Sequence, residues 1–274
     1  MNGTDLLRNL TNNQRLVELA RYFHVADSLK RWEYRLRGPR DGLIRHRISG
    51  VEIVLEAPDA TEFRTLESCY ADETDFIDAL TKKLRLGGVF YDIGSNVGQF
   101  LIPLAKILGE QGEAVGFEPH PVNHRRLMSN LTLNHLRNAR ALLLALGDQN
   151  GEAEIFGGRG TATIVPPQSL HAHVKAFSKT PLARGDEYRL REGLPFPGAV
   201  KIDVEGAEYY VLQGLKETLS DARCTLLCCE IHPWALPPGI LPERVVELVR
   251  SFGFNTFQSR LRETEIHLIA RKGL

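Results

Sequence analysis

The chain has 274 residues, and its 34 lysines and arginines are balanced by 34 aspartates and glutamates, so the formal net charge is zero. A hydrophobic fraction of 43% and a charged fraction of 25% are typical of a globular protein with a buried core. Zero net charge argues against binding to nucleic acid or an anionic membrane through bulk electrostatics, because both draw affinity from many uncompensated basic residues.

The N-terminal part of the sequence predicts an extension with its own character. Residues 13–30 carry apolar side chains at helical spacing and predict an amphipathic helix, which could pair two subunits in a homodimer. The basic stretch Lys30–Arg47 is interpreted as a solvated helix face, with attraction of a phosphorylated substrate such as a nucleotide-linked sugar as the alternative. Val51–Leu55 alternates like a strand. We therefore expect residues 1–60 to form a helical and basic extension that includes a first strand.

From Gly87 onward, short apolar strands alternate with amphipathic helices, after a helix expected over 73–85. The expected strands are Val89–Tyr91, Ala114–Phe117, Ala141–Leu146, Ala199–Ile202, Thr225–Cys229, Asn255–Gln258 and Glu265–Ala270. The expected helices cover about 97–108, 121–135, 206–219 and 242–252. This alternation predicts an α/β domain over 61–274, with parallel βαβ units and an antiparallel final pair of strands. The Pro- and Gly-rich segment 157–198 breaks the rhythm and predicts a functional loop.

Three features of the sequence bear on cellular location. It has no apolar run of transmembrane length, so no membrane span is expected, and its first residues lack the apolar stretch of a secretion signal. Its four cysteines show neither a C-x-x-C pair nor zinc-site spacing. Together these features favour a cytoplasmic protein without a disulfide framework.

A loop of small residues follows the first strand of the alternating region, in the string VFYDIGSNVG that starts at Val89. Gly94 and Gly98 let a ligand approach the backbone, and the next helix offers unpaired N–H groups. A dinucleotide-binding loop would have glycine where Asn96 stands, which disfavours a nicotinamide-dependent oxidoreductase. The acid at the strand end, Asp92, would repel a pyrophosphate but suits a ligand with a cationic amine.

Acidic residues also end the next two expected strands. Glu118 follows the second strand, where a carboxylate can accept both hydroxyls of a ribose. Asp148 follows the third strand, where an acceptor could take an adenine amino group. Because parallel strands bind ligands at their carboxyl ends, Asp92, Glu118 and Asp148 together predict a pocket for an adenosine with a positive, amino-acid-like tail. S-adenosylmethionine is such a molecule.

The fourth and fifth strands supply reactive groups. The fourth carries the string KIDVEGAE, in which Lys201 and Asp203 share one face and Glu205 lies just beyond the strand end. A lysine inside an apolar strand is costly unless paired, and Asp203 is its natural partner. The fifth strand leads to His232 at the same edge of the sheet.

Five strings of this sequence resemble those of the FkbM family of S-adenosylmethionine-dependent methyltransferases. They are DIGSNVG (92–98), GFEPHPVNHRRLMSNLTLN (116–134), ALGD (145–148), KIDVEGAE (201–208) and CEIHP (229–233). The resemblance implies a class I methyltransferase fold, which is a Rossmann-like, mostly parallel seven-stranded sheet with its last strand antiparallel. It also implies O-methylation of a hydroxyl on a saccharide or secondary metabolite, with the segment 157–198 on the acceptor side. The expected cofactor-binding residues are Asp92, Gly94, Asn96, Gly98, Glu118 and Asp148.

Methyl transfer from a sulfonium requires an aligned acceptor oxygen and a group that removes its proton. We expect Asp203 to be that base or to orient the acceptor, with Lys201 setting its charge. Glu205 and His232 are the next candidates; an unperturbed histidine pKa of about 6.5 suits a base, although a histidine before proline is more often structural. No metal is expected, but Asp203, Glu205 and Glu230 form an alternative set of divalent-metal ligands.

Two alternative functions stay open at this point. An RNA ribose 2′-O-methyltransferase can also use a Lys/Asp pair, although zero net charge stands against it and no nucleic acid partner is expected. A non-catalytic binding module could keep the same fold, although the complete set of acids and the lysine stands against it. Base N-methylases and cytosine-C5 enzymes are disfavoured, because the chain has DVEG in place of an Asn/Asp-Pro-Pro-aromatic motif and contains no Pro-Cys dipeptide.

Overall fold

The computed structural model describes residues 26–158, 162–166 and 176–273. The helix expected over 13–30 lies largely outside the described residues. The first part of the chain contains α1 (Ala26–Arg37), β1 (Leu43–Ile48), β2 (Val51–Glu56), α2 (Ala60–Asp72) and α3 (Thr74–Lys83). The middle part contains β3 (Val89–Ile93), α4 (Leu101–Leu108), β4 (Glu113–Phe117), α5 (Pro121–Leu133), β5 (Ala139–Leu142), β6 (Ala145–Gly147) and β7 (Gly151–Ile155). The last part contains β8 (Ser178–Arg184), α6 (Gly185–Arg191), β9 (Ala199–Ile202), α7 (Glu208–Gly214), α8 (Lys216–Ser220), β10 (Leu226–Ile231), α9 (Pro242–Ser251), β11 (Thr256–Arg262) and β12 (Glu265–Arg271).

The chain forms two compact units, and the smaller one includes most of α1 and α2. Glu33 is buried there and accepts hydrogen bonds from Arg37 and Arg64, both at 2.9 Å. The ring of Tyr34 packs edge-on against Phe63, with the two centroids 5.7 Å apart. A buried carboxylate with two arginine partners and an aromatic pair therefore stabilise this unit.

A seven-stranded sheet forms the centre of the larger unit. Its strand order is β11-β12-β10-β9-β3-β4-β5. The five strands from β10 to β5 run parallel to their neighbours, whereas β12 is antiparallel to both β10 and β11. The predicted α/β fold is confirmed, including the antiparallel final pair. Among the described helices, none combines the length and the apolar character that crossing a membrane requires.

The central strands are buried along their whole length. Every residue of β9 and β10 is buried, as expected for parallel strands covered by helices on both faces. Their apolar side chains join those of β3 and β4 in one hydrophobic core. Lys201 is the charged exception in β9, so its ammonium group requires a partner inside the protein.

The third strand of the sheet is shorter than predicted. One strand was expected over Ala141–Leu146, but β5 ends at Leu142 and the chain then leaves the sheet. β6 begins at Ala145 and pairs instead with β8, in a separate three-stranded sheet of order β6-β8-β7. The sequence does not indicate where β5 ends and β6 begins, because the residues on both sides of the break are apolar. The predicted position of Asp148 at the end of the third main-sheet strand is therefore wrong.

The segment 157–198 is more regular than predicted. It contains β8 and α6, so the expectation of an irregular loop is wrong for residues 178–191. Pro181 lies within β8, and a proline ordinarily argues against a strand because it cannot donate a ladder hydrogen bond. Pro181 is paired with Glu152 of β7, whereas on its other side the parallel pairing with β6 begins only at the next residue, Leu182, so no ladder hydrogen bond from Pro181 to β6 is required.

The loop after β3 contains Gly94 and Gly98 and is called the glycine loop below; the helix that follows it begins later than predicted. It was expected to start at residue 97, but α4 starts at Leu101 and the residues before it form a loop. Pro103 is consequently the third residue of α4. A missing N–H is tolerated there, because the first-turn N–H groups of a helix have no partner within the helix.

A buried carboxylate joins α6 to α8 beneath the sheet edge. Asp186 accepts hydrogen bonds from the backbone N–H of Glu217 at 2.7 Å and from that of Thr218 at 2.9 Å. The hydroxyl of Thr218 also donates to Asp186, at 2.5 Å. Asp186 therefore satisfies the first N–H groups of α8 from a segment distant in sequence.

We expect Asp186→Ala to lower the free energy of unfolding by about 3 kcal/mol, because the buried donors of Thr218 would lose a charged acceptor. Urea denaturation measures this difference. Glu187→Ala is the matched control on the same helix, since its ion pair with Arg184 is exposed and should contribute less than about 1 kcal/mol. Equal losses in the two variants would contradict the structural role of Asp186.

Candidate active site

A cavity lies at the edge of the sheet where the parallel strands have their carboxyl ends. It encloses about 610 Å³ of empty volume, part of which is open to solvent. Its wall includes five of the predicted site residues, namely Gly94, Asn96, Glu118, Asp203 and Glu205. The structure thus brings the loops after β3, β4 and β9 to one pocket, as their parallel order requires.

The loop after β3 approaches the loop after β9 very closely. Gly94 has a φ of 82°, and a Cβ atom on it would lie only 1.7 Å from the carbonyl oxygen of Asp203. Only glycine fits at this point, because any side chain would collide with the neighbouring backbone. Asn96 also adopts a left-handed backbone, with a φ of 49°. The other predicted site residues are not among those that line the cavity, namely Asp92, Gly98, Asp148, Lys201 and His232.

Glu118 is held at the cavity wall by backbone donors. Its Oε2 accepts a hydrogen bond from the N–H of Asn96 at 2.7 Å, and its Oε1 accepts one from the N–H of His120 at 2.9 Å. Burial raises the pKa of Glu118 to about 8, although these N–H groups oppose the shift. The remaining lone pairs can accept the two hydroxyls of a ribose, which is the role that the sequence predicts.

Asp92 is buried beneath the glycine loop. It is paired in register with Lys201 of the neighbouring strand β9. Neither of its carboxylate oxygens has a hydrogen-bond partner among the described residues. Burial raises the pKa of Asp92 to about 6, although Lys201 opposes the shift. Asp92 is only 1% exposed and does not line the cavity, so its contact with the positive tail of S-adenosylmethionine stays a prediction.

Lys201 and Asp203 form the ion pair that the sequence predicts. Lys201 is only 2% exposed, and its Nζ donates to Oδ2 of Asp203 at 3.0 Å. The same Nζ lies 4.6 Å from the ring centroid of Phe100, which adds a cation–π contact. Burial alone would raise the pKa of Asp203, but Lys201 and His232 outweigh it and hold that pKa below its usual range. Asp203 is therefore ionised at neutral pH.

His232 reaches the cluster from the end of β10. Its Nδ1 lies 2.7 Å from Oε1 of Glu208, and its Nε2 lies 3.6 Å from Oε2 of Glu205 and 3.9 Å from Oδ1 of Asp203. Burial disfavours the charged imidazolium, but Glu208 and the other carboxylates outweigh it and raise the pKa of His232 to about 10. The ordinary histidine pKa of about 6.5 that would suit a base therefore does not apply to His232, whose contact with Glu208 the sequence does not reveal.

Glu205 lies on the turn between β9 and α7. Its backbone is left-handed, with a φ of 53°, and this turn directs the chain from the strand into the helix. Burial raises the pKa of Glu205 to about 8, although His232 opposes the shift. One ligand atom each from Asp203, Glu205 and His232 lies within 4.8 Å of the others.

Glu230 is not part of this cluster, although the alternative metal set included it. Its Oε1 accepts hydrogen bonds from Arg262 at 3.1 Å and from the ring of His267 at 3.3 Å. These two partners hold the carboxylate on the side of β11 and β12. His232, which lies just beyond the end of β10, instead joins Asp203 and Glu205 in the cluster.

Sequence reasoning missed several residues of the site. Glu208 contacts His232, and Trp234 places its indole edge-on to the same imidazole, with centroids 6.0 Å apart. Glu73 is also buried here; burial raises its pKa to about 7, although Lys201 opposes the shift. Glu208 is the last acid of the string KIDVEGAE, so its place in that string could have indicated that it belongs to the site. Glu73 lies far from Lys201 in the sequence, and no motif there indicates that the two are close in the structure.

Comparison with known proteins identifies the family. Residues 92–256 match the model of the methyltransferase FkbM domain. The chain belongs to the FkbM methyltransferase family. The hexuronic acid methyltransferase AglP of Haloferax volcanii is 29% identical over 205 residues, which cover 73% of this chain and 77% of that protein. The 31-O-demethyl-FK506 methyltransferase FkbM of Streptomyces tacrolimicus is 27% identical over 222 residues, which cover 69% of this chain and 82% of that one.

Solved structures agree on the fold. The crystal structure of Aeropyrum pernix fibrillarin, which contains S-adenosyl-L-methionine, matches with a TM-score of 0.50 and 16% identity, over 85% of each chain. The class I methyltransferase fold is thereby confirmed. Membership of the FkbM family confirms the predicted activity class and the predicted cofactor, S-adenosylmethionine. The assignments of individual cofactor-binding residues stay predictions.

We expect Glu118→Gln to weaken S-adenosylmethionine binding by about tenfold or more at about pH 9, where the carboxyl of Glu118 is ionised, because a charged acceptor of ribose hydroxyls becomes a neutral amide. Isothermal titration calorimetry measures the dissociation constant. Asp148→Asn is the matched comparison, and we expect it to change the affinity less than about twofold, since Asp148 does not line the cavity. A larger loss for Asp148→Asn than for Glu118→Gln would reverse the two assignments.

We expect the affinity for adenosine to rise with pH up to about 8. The raised pKa of Glu118 means that its carboxyl is neutral below about pH 8, and only the ionised form accepts both ribose hydroxyls. Each pH unit below that value should cost up to about tenfold in affinity. Adenosine is the probe because it lacks the ionisable tail of the cofactor. Glu118→Gln should give a flat profile; an unchanged slope in that variant would exclude Glu118 as the titrating group.

Proposed function

We propose that this methyltransferase transfers a methyl group from S-adenosylmethionine to a hydroxyl group of a saccharide. The main support is the cluster of the half-buried Asp203 and Glu205, which line the cavity together with Glu118, and the buried His232 next to them. Such a cluster can accept hydrogen bonds from several hydroxyl groups at once. It lies on the β9 and β10 side of the cavity, away from the ribose end at Glu118.

When bound, S-adenosylmethionine supplies a methyl group that is activated by a positively charged sulfur. The acceptor oxygen forms a bond to the methyl carbon as the bond from that carbon to sulfur breaks, and the sulfur departs as a neutral thioether. The protein has to align the hydroxyl oxygen and accept its proton. Asp203 suits this role because Lys201 and His232 keep it ionised. Lys201 holds Oδ2, which leaves Oδ1 on the side of Glu205 and His232 to receive the hydroxyl proton.

An exposed aromatic ring supports a saccharide acceptor. Trp234 is 59% exposed although it lies against the buried His232. The apolar C–H face of a sugar ring can pack on such an indole while the sugar hydroxyls reach the carboxylates. The names of the two relatives agree with this acceptor chemistry, since one acts on hexuronic acid and the other on a demethylated oxygen of FK506.

The test is a labelled-methyl transfer assay with a panel of acceptors. The panel contains oligosaccharides with hexuronic acid, neutral oligosaccharides, hydroxylated metabolite extracts and short RNA. We expect the label in a saccharide fraction, bound through oxygen. Label in RNA would instead favour a ribose 2′-O-methyltransferase, and label in the metabolite fraction alone would overturn the saccharide acceptor.

With the saccharide acceptor in hand, Asp203→Asn should lower kcat by about 100-fold or more, because the amide cannot take the hydroxyl proton. Its affinity for S-adenosylmethionine should stay within about threefold of the original. Trp234→Ala should raise the acceptor KM by about tenfold and leave kcat similar, whereas Trp234→Phe should restore most of the affinity. Full activity of Asp203→Asn would contradict the role proposed for that carboxylate.

A further inference from the structure

We propose that Asp203, Glu205 and His232 form a binding site for a divalent metal ion of the Mn²⁺ type. Each of the three residues offers one ligand atom, and these atoms lie within 4.8 Å of one another. The nearest carboxylate oxygens to Nε2 of His232 are Oε2 of Glu205 and Oδ1 of Asp203. An ion with bonds of about 2.1 Å holds adjacent ligand atoms about 3 Å apart and opposite ones about 4.2 Å apart. The Nε2 distances of 3.6 Å and 3.9 Å fall within that range, so small side-chain rotations complete the site.

The orientation of His232 fits a metal ligand. His232 is only 3% exposed, and its Nε2 lies 3.6 Å from Oε2 of Glu205 and 3.9 Å from Oδ1 of Asp203, both beyond hydrogen-bond distance. Its other nitrogen can donate to Oε1 of Glu208 at 2.7 Å, so an ion bound between the two carboxylates would take the place of the imidazolium proton on Nε2. Metal-binding histidines characteristically donate their second nitrogen to a carboxylate in this way.

Neighbouring groups hold each ligand in place. Glu208 is fully buried and accepts a second hydrogen bond from the N–H of Gly206 at 2.9 Å, so the orientation of His232 is fixed. Lys201 binds Oδ2 of Asp203, which directs Oδ1 toward His232. This second layer of contacts orients the ligands without occupying the atoms that would bind the ion.

Charge balance is compatible with a divalent cation at this point. When ionised, the carboxylates of Asp203, Glu205 and Glu208 carry three negative charges, which face the ammonium group of Lys201 and the imidazole of His232. Negative charge in such a place is costly unless a cation compensates it. A divalent ion that takes the place of the imidazolium proton would, together with Lys201, balance all three charges.

The donor set indicates which ion fits. Two carboxylate oxygens and one imidazole nitrogen suit Mn²⁺, whereas Mg²⁺ prefers oxygen donors alone. An ion here would keep open positions for the acceptor hydroxyl, which it could hold as a further oxygen ligand next to the transferred methyl group. That role rests on the proposed function, but the binding of the ion does not.

The test is a titration of the metal-free, tag-free full chain with MnCl₂, in which electron paramagnetic resonance measures the free Mn²⁺. We expect one site per chain. Glu205→Gln and His232→Ala should each weaken Mn²⁺ binding by at least tenfold, and Glu208→Gln, a positioning variant, by about tenfold. Glu247→Gln removes an exposed carboxylate of α9 and is the control that should leave the affinity unchanged.

Absence of Mn²⁺ binding, or binding that the Glu205 and His232 variants leave unchanged, would overturn the proposal. Calorimetry with S-adenosylmethionine on the same samples establishes that each variant is folded, and Glu205→Asp keeps the ligand type should Glu205→Gln fail to fold. If the chain binds the cofactor but not Mn²⁺, the proposed metal site is wrong and the proposed function still stands. If the chain binds Mn²⁺ through these ligands but methylates no saccharide, the metal site stands and the proposed function is wrong.

Discussion

The ion pair between Lys201 and Asp203 lies at the end of a strand that is otherwise apolar and buried. An ammonium group in that environment is tolerated only with a partner at hydrogen-bond distance, and Asp203 meets this need at 3.0 Å. The pair keeps Asp203 ionised and fixes the direction of its second oxygen. Glu205 and His232 then gather around that oxygen, so the organisation of the site follows from one buried lysine.

The site as a whole concentrates carboxyl groups where water has been excluded. Asp92, Glu118, Glu205 and Glu73 all have pKa values raised by burial, which means that the protein pays in stability to hold carboxyl groups there. A pocket of this kind is matched to ligands that bring positive charge. A sulfonium cofactor meets that condition at one end, and a metal ion would meet it at the other.

The sequence predicted the fold and much of the site, because both follow from local rules. A lysine in an apolar strand implied its partner Asp203, and an acid after the second strand implied the position of Glu118 at the pocket. The failures have physical causes as well. The break between β5 and β6 at Leu143 lies within an apolar run, so the sequence does not indicate it. Pro181 argued against a strand in the segment where the structure has β8. The contact between Glu208 and His232 depends on a left-handed turn at Glu205, which spacing alone does not reveal.

The close approach of Gly94 to the carbonyl of Asp203 has a consequence for engineering the enzyme. The cofactor loop and the loop that bears the proposed base touch through their backbones, so neither can be remodelled without displacing the other. Attempts to broaden acceptor scope are therefore better directed at the segment around Trp234, whose exposed ring leaves room for variation. Libraries built there would leave the shared scaffold of the two loops intact.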